Sequence, residues 1–240
     1  MKSNPNDTQV VILVGGKGTR LGHLTKFIPK PLLEVKGEPF LHHLLKNFLR
    51  YGYRKFILLA GHHSEKIEQY ASESSLSDCN ITVLIEPEPM GTGGSLKFSE
   101  EFLDDEFILS NGDSIFNFNI PLLYDDFMLN NTIGHIALKK IINKENRYGE
   151  VVFEEKSNII DSFREKEKSN TSYSYINAGV YFFKKTLLNY IDSIPCSLEE
   201  DVLPVLAKKR LLSGKKFNGN FIDIGTPESY ELIQNKDYKI

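Results

Sequence analysis

The chain of 240 residues carries 40% hydrophobic and 25% charged side chains, a mix that suits a well-packed globule and excludes collagen, coiled coil and disorder. Its 29 Lys+Arg against 32 Asp+Glu leave a net charge of −3, which argues against a partner held mainly through nucleic-acid phosphates. Cys79 and Cys196 form no C-x-x-C framework, and the apolar run from Val10 to Val14 is far short of the ~18 residues that span a bilayer, so a cytoplasmic protein with no membrane partner is expected.

Val10-Val11-Ile12-Leu13-Val14 is β-branched, continuously apolar and ends in Gly15-Gly16, the pattern of a parallel strand buried on both faces. Phe40, Leu41, Leu44, Leu45, Phe48 and Leu49 recur at helical spacing after Pro39, with Gly52 as the stop. A strand over 56–60, a short helix over 64–71 capped by Ser64, a strand over 81–85, a helix near 94–102 and a strand over 107–109 continue the alternation. That order predicts a parallel, right-handed, doubly wound sheet. The second half reads as strands over 133–141, 148–153, 159–164 and 175–183, helices near 187 and over 199–208, and a strand over 220–224. The expectation is one Rossmann-like α/β domain over 1–240, with a mixed, mostly parallel sheet, helices on both faces and a surface loop at 166–171.

The first strand feeds Gly15-Gly16-Lys17-Gly18-Thr19-Arg20-Leu21, whose backbone N–H groups can turn onto an anion. It is neither a P-loop nor a dinucleotide fingerprint, because Leu21 stands where the last glycine of Gly-x-Gly-x-x-Gly belongs. Read without a ligand, it is a tight strand-to-helix turn. Pro29 and Pro31 give Lys30 a rigid mount that can aim an ammonium at one point, where the bland reading is a solvated loop lysine. Glu86-Pro87-Glu88-Pro89-Met90-Gly91-Thr92-Gly93-Gly94 permits close backbone approach at a strand end. Asp113, after Ser110-Asn111-Gly112, sits at a sheet's carboxyl edge, and a carboxylate there with phosphate oxygens makes a Mg2+ site. Asp223, in the apolar run Phe221-Ile222-Asp223-Ile224, calls for a partner or a metal, although either Asp could be a turn or cap residue. The six histidines show no zinc-ligand spacing and read as surface or loop residues, there is no Gly-x-Ser-x-Gly elbow, and Tyr181, Phe182 and Phe183 read as core.

Seven segments, in order, resemble the sugar-1-phosphate nucleotidyltransferases: Leu13–Leu21, Pro29–Leu32, Glu88–Gly94, Asn111–Asp113, Phe163-Arg164-Glu165-Lys166, Ile176–Tyr181 and Phe221–Glu228. Arg147-Tyr148-Gly149 with Val151-Val152, and Ser197–Leu203, look most like the D-glycero-α-D-manno-heptose-1-phosphate guanylyltransferases. The resemblance implies a nucleotide-diphospho-sugar transferase fold, with a nucleotide-binding half at about 9–115 and a sugar-phosphate half at about 116–240. It implies that Gly15, Gly16, Gly18, Thr19, Glu86, Gly91, Thr92 and Gly93 hold the nucleotide, and that Arg20, Lys30 and Asp113 are catalytic. By the same resemblance Asp113 and Asp223 hold Mg2+, and Gly149, Glu165, Lys166 and Asn177 take the sugar phosphate. Departures are Glu167, where proline often follows the Glu-Lys pair, and His23, where a more basic residue is common. The implied reaction joins GTP and a heptose 1-phosphate. Alternatives are mannose-, glucose- or N-acetylmuramate-1-phosphate with GTP, UTP, CTP or dTTP, or a non-catalytic nucleotide-sugar sensor. A homodimer is left open, and no appended hexapeptide-repeat β-helix is expected.

Overall fold

The computed structural model describes residues 5–76, 78–142, 148–164 and 173–235. The first apolar run forms β1 (Gln9–Leu13), in which Val10 and Ile12 enter one core and Val11 the other, all fully buried. The remaining strands are β2 (Glu34–Val35), β3 (Glu38–Pro39), β4 (Lys55–Ala60), β5 (Asn80–Ile85), β6 (Glu106–Asn111), β7 (Ser114–Phe116), β8 (Gly134–Ile142), β9 (Glu150–Phe153), β10 (Ile160–Arg164), β11 (Tyr173–Lys184), β12 (Leu212–Phe217) and β13 (Phe221–Asp223). The α-helices are α1 (Phe40–Leu49), α2 (Ser64–Glu73), α3 (Gly91–Phe98), α4 (Pro121–Phe127), α5 (Leu203–Lys208) and α6 (Pro227–Gln234).

Seven strands form the central sheet in the order β12-β8-β11-β6-β1-β4-β5. Six run in one direction; β11 alone opposes them, pairing antiparallel with β6 and β8. One core takes side chains from α1, α2, α4 and α6, and the other from α3 and α5, so helices cover both faces as expected. The chain leaves β1 toward β4 and β5 on one side, while β6 flanks it on the other, which puts the switch point between β1 and β6. Open α/β sheets bind ligands in the crevice at that point, outside the strand carboxyl ends.

Several local expectations shift. α3 begins at Gly91, within the glycine run, because Cys196 O accepts from Gly93 N (2.9 Å) and Gly94 N (3.2 Å); tertiary partners offset the weak helix propensity of glycine. α2 starts at Ser64 with His63 in the cap position, so Ser64 is not the cap. The segment near 187 is a 3-10 helix (Lys185–Tyr190), and 199–208 divides into a π turn (Leu198–Val202) and α5. β7, β12, α4 and α6 were not legible. β12 (Leu-Ser-Gly-Lys-Lys-Phe) lacks an apolar run because its buried Ser213 bonds Thr132 Oγ1 (2.9 Å) and His135 Nδ1 (2.7 Å) instead.

The surface-or-loop reading of the histidines fails at two positions. His42 on α1 and His135 on β8 are buried because each finds polar partners: Tyr70 OH at 3.2 Å from His42 Nδ1, and Ser213 Oγ and Asp126 around His135. Tyr181, Phe182 and Phe183 are core, as expected. No helix among the described residues is long and apolar enough to cross a membrane.

Candidate active site

The loops after β1, β4, β5 and β6 converge on the switch point. Val14 N donates to Leu59 O (2.9 Å), His62 N to Gly15 O (3.2 Å), Glu86 N to Ala60 O (2.9 Å) and Gly112 N to Leu13 O (3.0 Å). Gly18 has φ +64°, and a Cβ there would come 2.9 Å from Thr25 Cγ2; glycine is what lets the chain turn from the loop into the 3-10 segment Thr19–Thr25.

Two adjoining cavities, of about 210 and 260 Å3, lie on the β1–β5 side and share Gly15, Lys17, Glu86 and Pro89. The first also meets Gly61 and His62; the second meets Gly16, Gly91, Thr92 and Ser95. The Glu86 carboxylate is steadied by Ser95 Oγ, which donates to Oε2 at 2.6 Å. The Thr92 hydroxyl is spent inside the protein: it donates to Glu199 Oε2 (2.7 Å) and accepts from Leu198 N (2.8 Å), so Thr92 meets the cavity as wall. Gly91 has φ +74°, and a Cβ would come 2.4 Å from Cys196 O, so glycine here answers to the 196–199 segment.

A third cavity, of about 300 Å3, is lined by Arg20, Asn111, Asp113, Tyr148, Asn177 and Asp223, with Ser114, Gly179 and Phe221 beside them. Lys30, 9% exposed, reaches it through an ion pair, Nζ to Asp113 Oδ2 at 2.7 Å. Asp113 precedes β7 and Asp223 ends β13; these strands pair antiparallel with Asp223 opposite Ser114, which brings the two carboxylates to one wall. Asp223 accepts from Gly225 N (2.7 Å) and from Tyr148 OH. Asn177 is fixed by donating Nδ2 to Tyr181 OH (2.8 Å) and accepting from Gly179 N (3.0 Å). Burial, with the charges of Glu199 and Asp113 nearby, holds the Tyr181 phenol protonated far above its ordinary range.

The structure thus gathers Arg20, Lys30, Asp113, Asn177 and Asp223 at one cavity, and Gly15, Gly16, Glu86, Gly91 and Thr92 at the neighbouring pair. Gly18, Thr19, Gly93 and Gly149 line none of the three, Gly93 being packed on Cys196. Glu165 and Lys166 lie outside the described residues. Lys17, His62, Ser95, Asn111 and Tyr148 are lining residues that sequence reasoning gave no role. Lys17 had a signal, a cation inside the glycine loop; His62 had none. Asn111 Oδ1 is buried and has no hydrogen-bond partner among the described residues. Cations beside paired carboxylates can receive phosphate groups and one divalent ion. No cluster of three or more His, Cys, Asp or Glu ligands occurs among the described residues, so a cation on Asp113 and Asp223 would draw its other ligands from phosphate and water, as Mg2+ does.

A family model described as Nucleotidyl transferase matches residues 9–239. The chain belongs to the nucleotidyl transferase family. It is 35% identical over 227 residues to a mannose-1-phosphate guanylyltransferase catalytic subunit beta of Danio rerio, covering 92% of this chain and 62% of that protein. It is 33% identical over 224 residues to a mannose-1-phosphate guanyltransferase of Yarrowia lipolytica, covering 92% and 61%. The chain therefore spans a little under two thirds of the length of these curated relatives. The crystal structure of HddC from Yersinia pseudotuberculosis matches this nucleotidyl transferase with a TM-score of 0.83 at 27% identity, covering 95% of this chain and 98% of HddC. HddC complexed with GMP-PN matches with a TM-score of 0.82. The nucleotide-diphospho-sugar transferase fold expected from the motifs is the fold of this family.

Proposed function

We propose that this nucleotidyl transferase moves a guanylyl group from GTP to a sugar 1-phosphate, forming a GDP-sugar and pyrophosphate. The observation that carries the choice of base is the Glu86 carboxylate in the β1–β5 cavities. Guanine presents N1–H and the N2 amino group as adjacent donors, and a carboxylate accepts both; adenine, cytosine and uracil place an acceptor next to their donor on that edge. The guanylyltransferase names of the 35% and 33% identical relatives, and the GMP-PN complex of HddC, support the same base.

A sugar-phosphate oxygen attacks the α-phosphorus in line and pyrophosphate leaves, without a covalent enzyme intermediate. Both reactants are anionic, so the protein's task is to cancel repulsion and hold alignment. Arg20 offers a planar fork to the β,γ-phosphates, Lys30 a point charge near the α-phosphate, and Lys166 a cation for the sugar phosphate. Asn177, Glu165 and Gly149 orient the sugar. Asp113 and Asp223 would hold Mg2+, which supplies charge neutralisation at the phosphate oxygens when bound.

The sugar is read as D-glycero-α-D-manno-heptose, on the Arg147-Tyr148-Gly149 and Ser197–Leu203 resemblance. The identity to mannose-1-phosphate guanylyltransferases favours mannose as the second reading; the two pyranose rings share the manno configuration. The test is pyrophosphate release with Mg2+ across GTP, UTP, CTP, dTTP and ATP against heptose-, mannose-, glucose- and N-acetylmuramate-1-phosphates. Release with GTP and the manno-heptose phosphate is expected; release with mannose 1-phosphate alone replaces the sugar. Silence across the grid with tight binding of a nucleotide sugar overturns the catalytic reading in favour of a sensor.

A further inference from the structure

The glycine-rich start of α3 is clasped by the 196–199 segment. Most of the clasp is backbone: Cys196 O accepts from Gly93 N and Gly94 N, and Cys196 N donates to Met90 O at 2.9 Å. The charged contact is Glu199, whose Oε2 accepts a hydrogen bond from the Thr92 hydroxyl at 2.7 Å while Leu198 N donates to the same Oγ1 at 2.8 Å. These two bonds fix the Thr92 side chain, and Thr92 is cavity wall alongside Gly15, Gly16 and Glu86. The Glu199 charge also bears on fully buried Tyr181, whose hydroxyl accepts from Asn177 Nδ2, and Asn177 lines the cavity of Asp113 and Asp223. One half-buried carboxylate therefore holds the Thr92 side chain at the wall of the β1–β5 cavities.

We propose that Glu199 is a positioning residue for nucleotidyl transfer, acting through Thr92 to hold the wall of the β1–β5 cavities in place. The inference rests on the transferase reading above. Glu199 lines none of the three cavities, so its loss is expected to misalign bound substrates instead of releasing them; a displacement of about 1 Å in such a site costs on the order of 10²-fold in rate.

The experiment compares Glu199→Ala, Glu199→Gln, Thr92→Val and Thr92→Ser. Steady-state kcat is measured with the pair the wild type uses, and the GTP dissociation constant by titration calorimetry without sugar phosphate. Glu199→Ala is expected to lower kcat by about tenfold or more, the scale of one charge-assisted hydrogen bond, with GTP affinity within about twofold of wild type. Glu199→Gln, whose amide oxygen still accepts from Thr92, is expected to stay within about threefold. Thr92→Val is expected to match Glu199→Ala, Thr92→Ser to recover, and the double variant to be no slower than either single one, as coupled residues behave. Wild-type kcat in Glu199→Ala, a loss lying wholly in GTP affinity, or additive losses in the double variant overturns the inference. Should Glu199→Ala not fold, Thr92→Val against Thr92→Ser decides in the same way. A wild type inert across the substrate grid overturns the transferase reading together with this inference; an active wild type with unaffected variants overturns this inference alone.

Discussion

Lys30 Nζ lies 2.7 Å from Asp113 Oδ2, joining two loops that are far apart in the chain. An ammonium as buried as this one is tolerated because the carboxylate compensates it. Pro29 and Pro31 flank the lysine, and its backbone forms the short 3-10 turn Lys30–Leu32, so the side chain leaves a stiff base directed at the switch-point crevice. In the proposed reaction the pair sets the cation meant for phosphate against the carboxylate that would hold the divalent ion.

Lys30→Ala is expected to cut turnover by at least ~10²-fold, the scale of losing one electrostatic stabiliser. Single-turnover rates with saturating GTP and sugar phosphate check this. Turnover near wild type removes Lys30 from the mechanism.

Asp113→Asn is expected to lower activity and to flatten its dependence on Mg2+ together, since the amide keeps the shape and loses the anionic ligand. The Mg2+ activation curve of the variant is the measurement. A variant that keeps the wild-type half-activating concentration places the ion elsewhere.

Glu86→Gln keeps an acceptor for Ser95 Oγ but replaces one carboxylate oxygen by an N–H2 donor, which opposes a guanine donor. The ratio of kcat/KM for GTP to that for ATP is expected to fall by about tenfold or more, the scale of one mispaired polar contact in a recognition site. Competition between the two nucleotides in one assay reads the ratio directly. An unchanged ratio assigns base choice to backbone groups.

The parts of the fold that follow a hydrophobic period were legible in the sequence. β1, β4 and α1 are apolar runs or stripes whose burial matches their pattern, whereas β5, at the sheet edge, buries none of its apolar run fully; the glycine and aspartate motifs fell at strand ends because that is where the backbone must turn. What escaped was set by tertiary contact. His135 reads as an isolated polar residue until Asp126 on α4 and Ser213 on β12 close around it, and β12 is polar along the chain for the same reason. Thr92 and the glycines beside it read as a surface for nucleotide, and Gly91 and Thr92 do line a cavity; not legible was that the 196–199 segment takes the Thr92 hydroxyl and most of the space a Cβ would need at Gly91 and Gly93. That segment is about a hundred residues away, and although Ser197–Leu203 stood out by resemblance, no local pattern announces its contact with Thr92.

Gly91→Ala tests that assignment. A methyl group there would meet Cys196 O at 2.4 Å on a backbone with φ +74°, so the helix start must shift or the clasp must open. A loss of roughly 2 kcal/mol or more is expected, which for a chain of this size lowers Tm by about 4 °C or more. Calorimetric or circular-dichroism melts measure it. An unchanged Tm means that the clasp is looser than its hydrogen bonds indicate.

Asp126 gives the fold an acid-sensitive point away from the cavities. Its carboxylate is held down to about 2, first by the His135 imidazole, whose Nε2 is 3.1 Å from Oδ2, and then by the Lys215 ammonium, 2.7 Å from Oδ1. A carboxylate whose pKa is depressed on folding adds stability that is fully present above its unfolded value, near 4, and is lost as pH falls through the folded value. The contribution is on the order of 2 kcal/mol for a side chain this buried, and it disappears between about pH 4 and pH 2. Asp126→Asn removes the titrating group, so the variant is expected to be less stable at neutral pH and to lose less on acidification. Denaturant midpoints of the two proteins over that interval should converge, and parallel curves would show that the Asp126 network does not govern the acid limb.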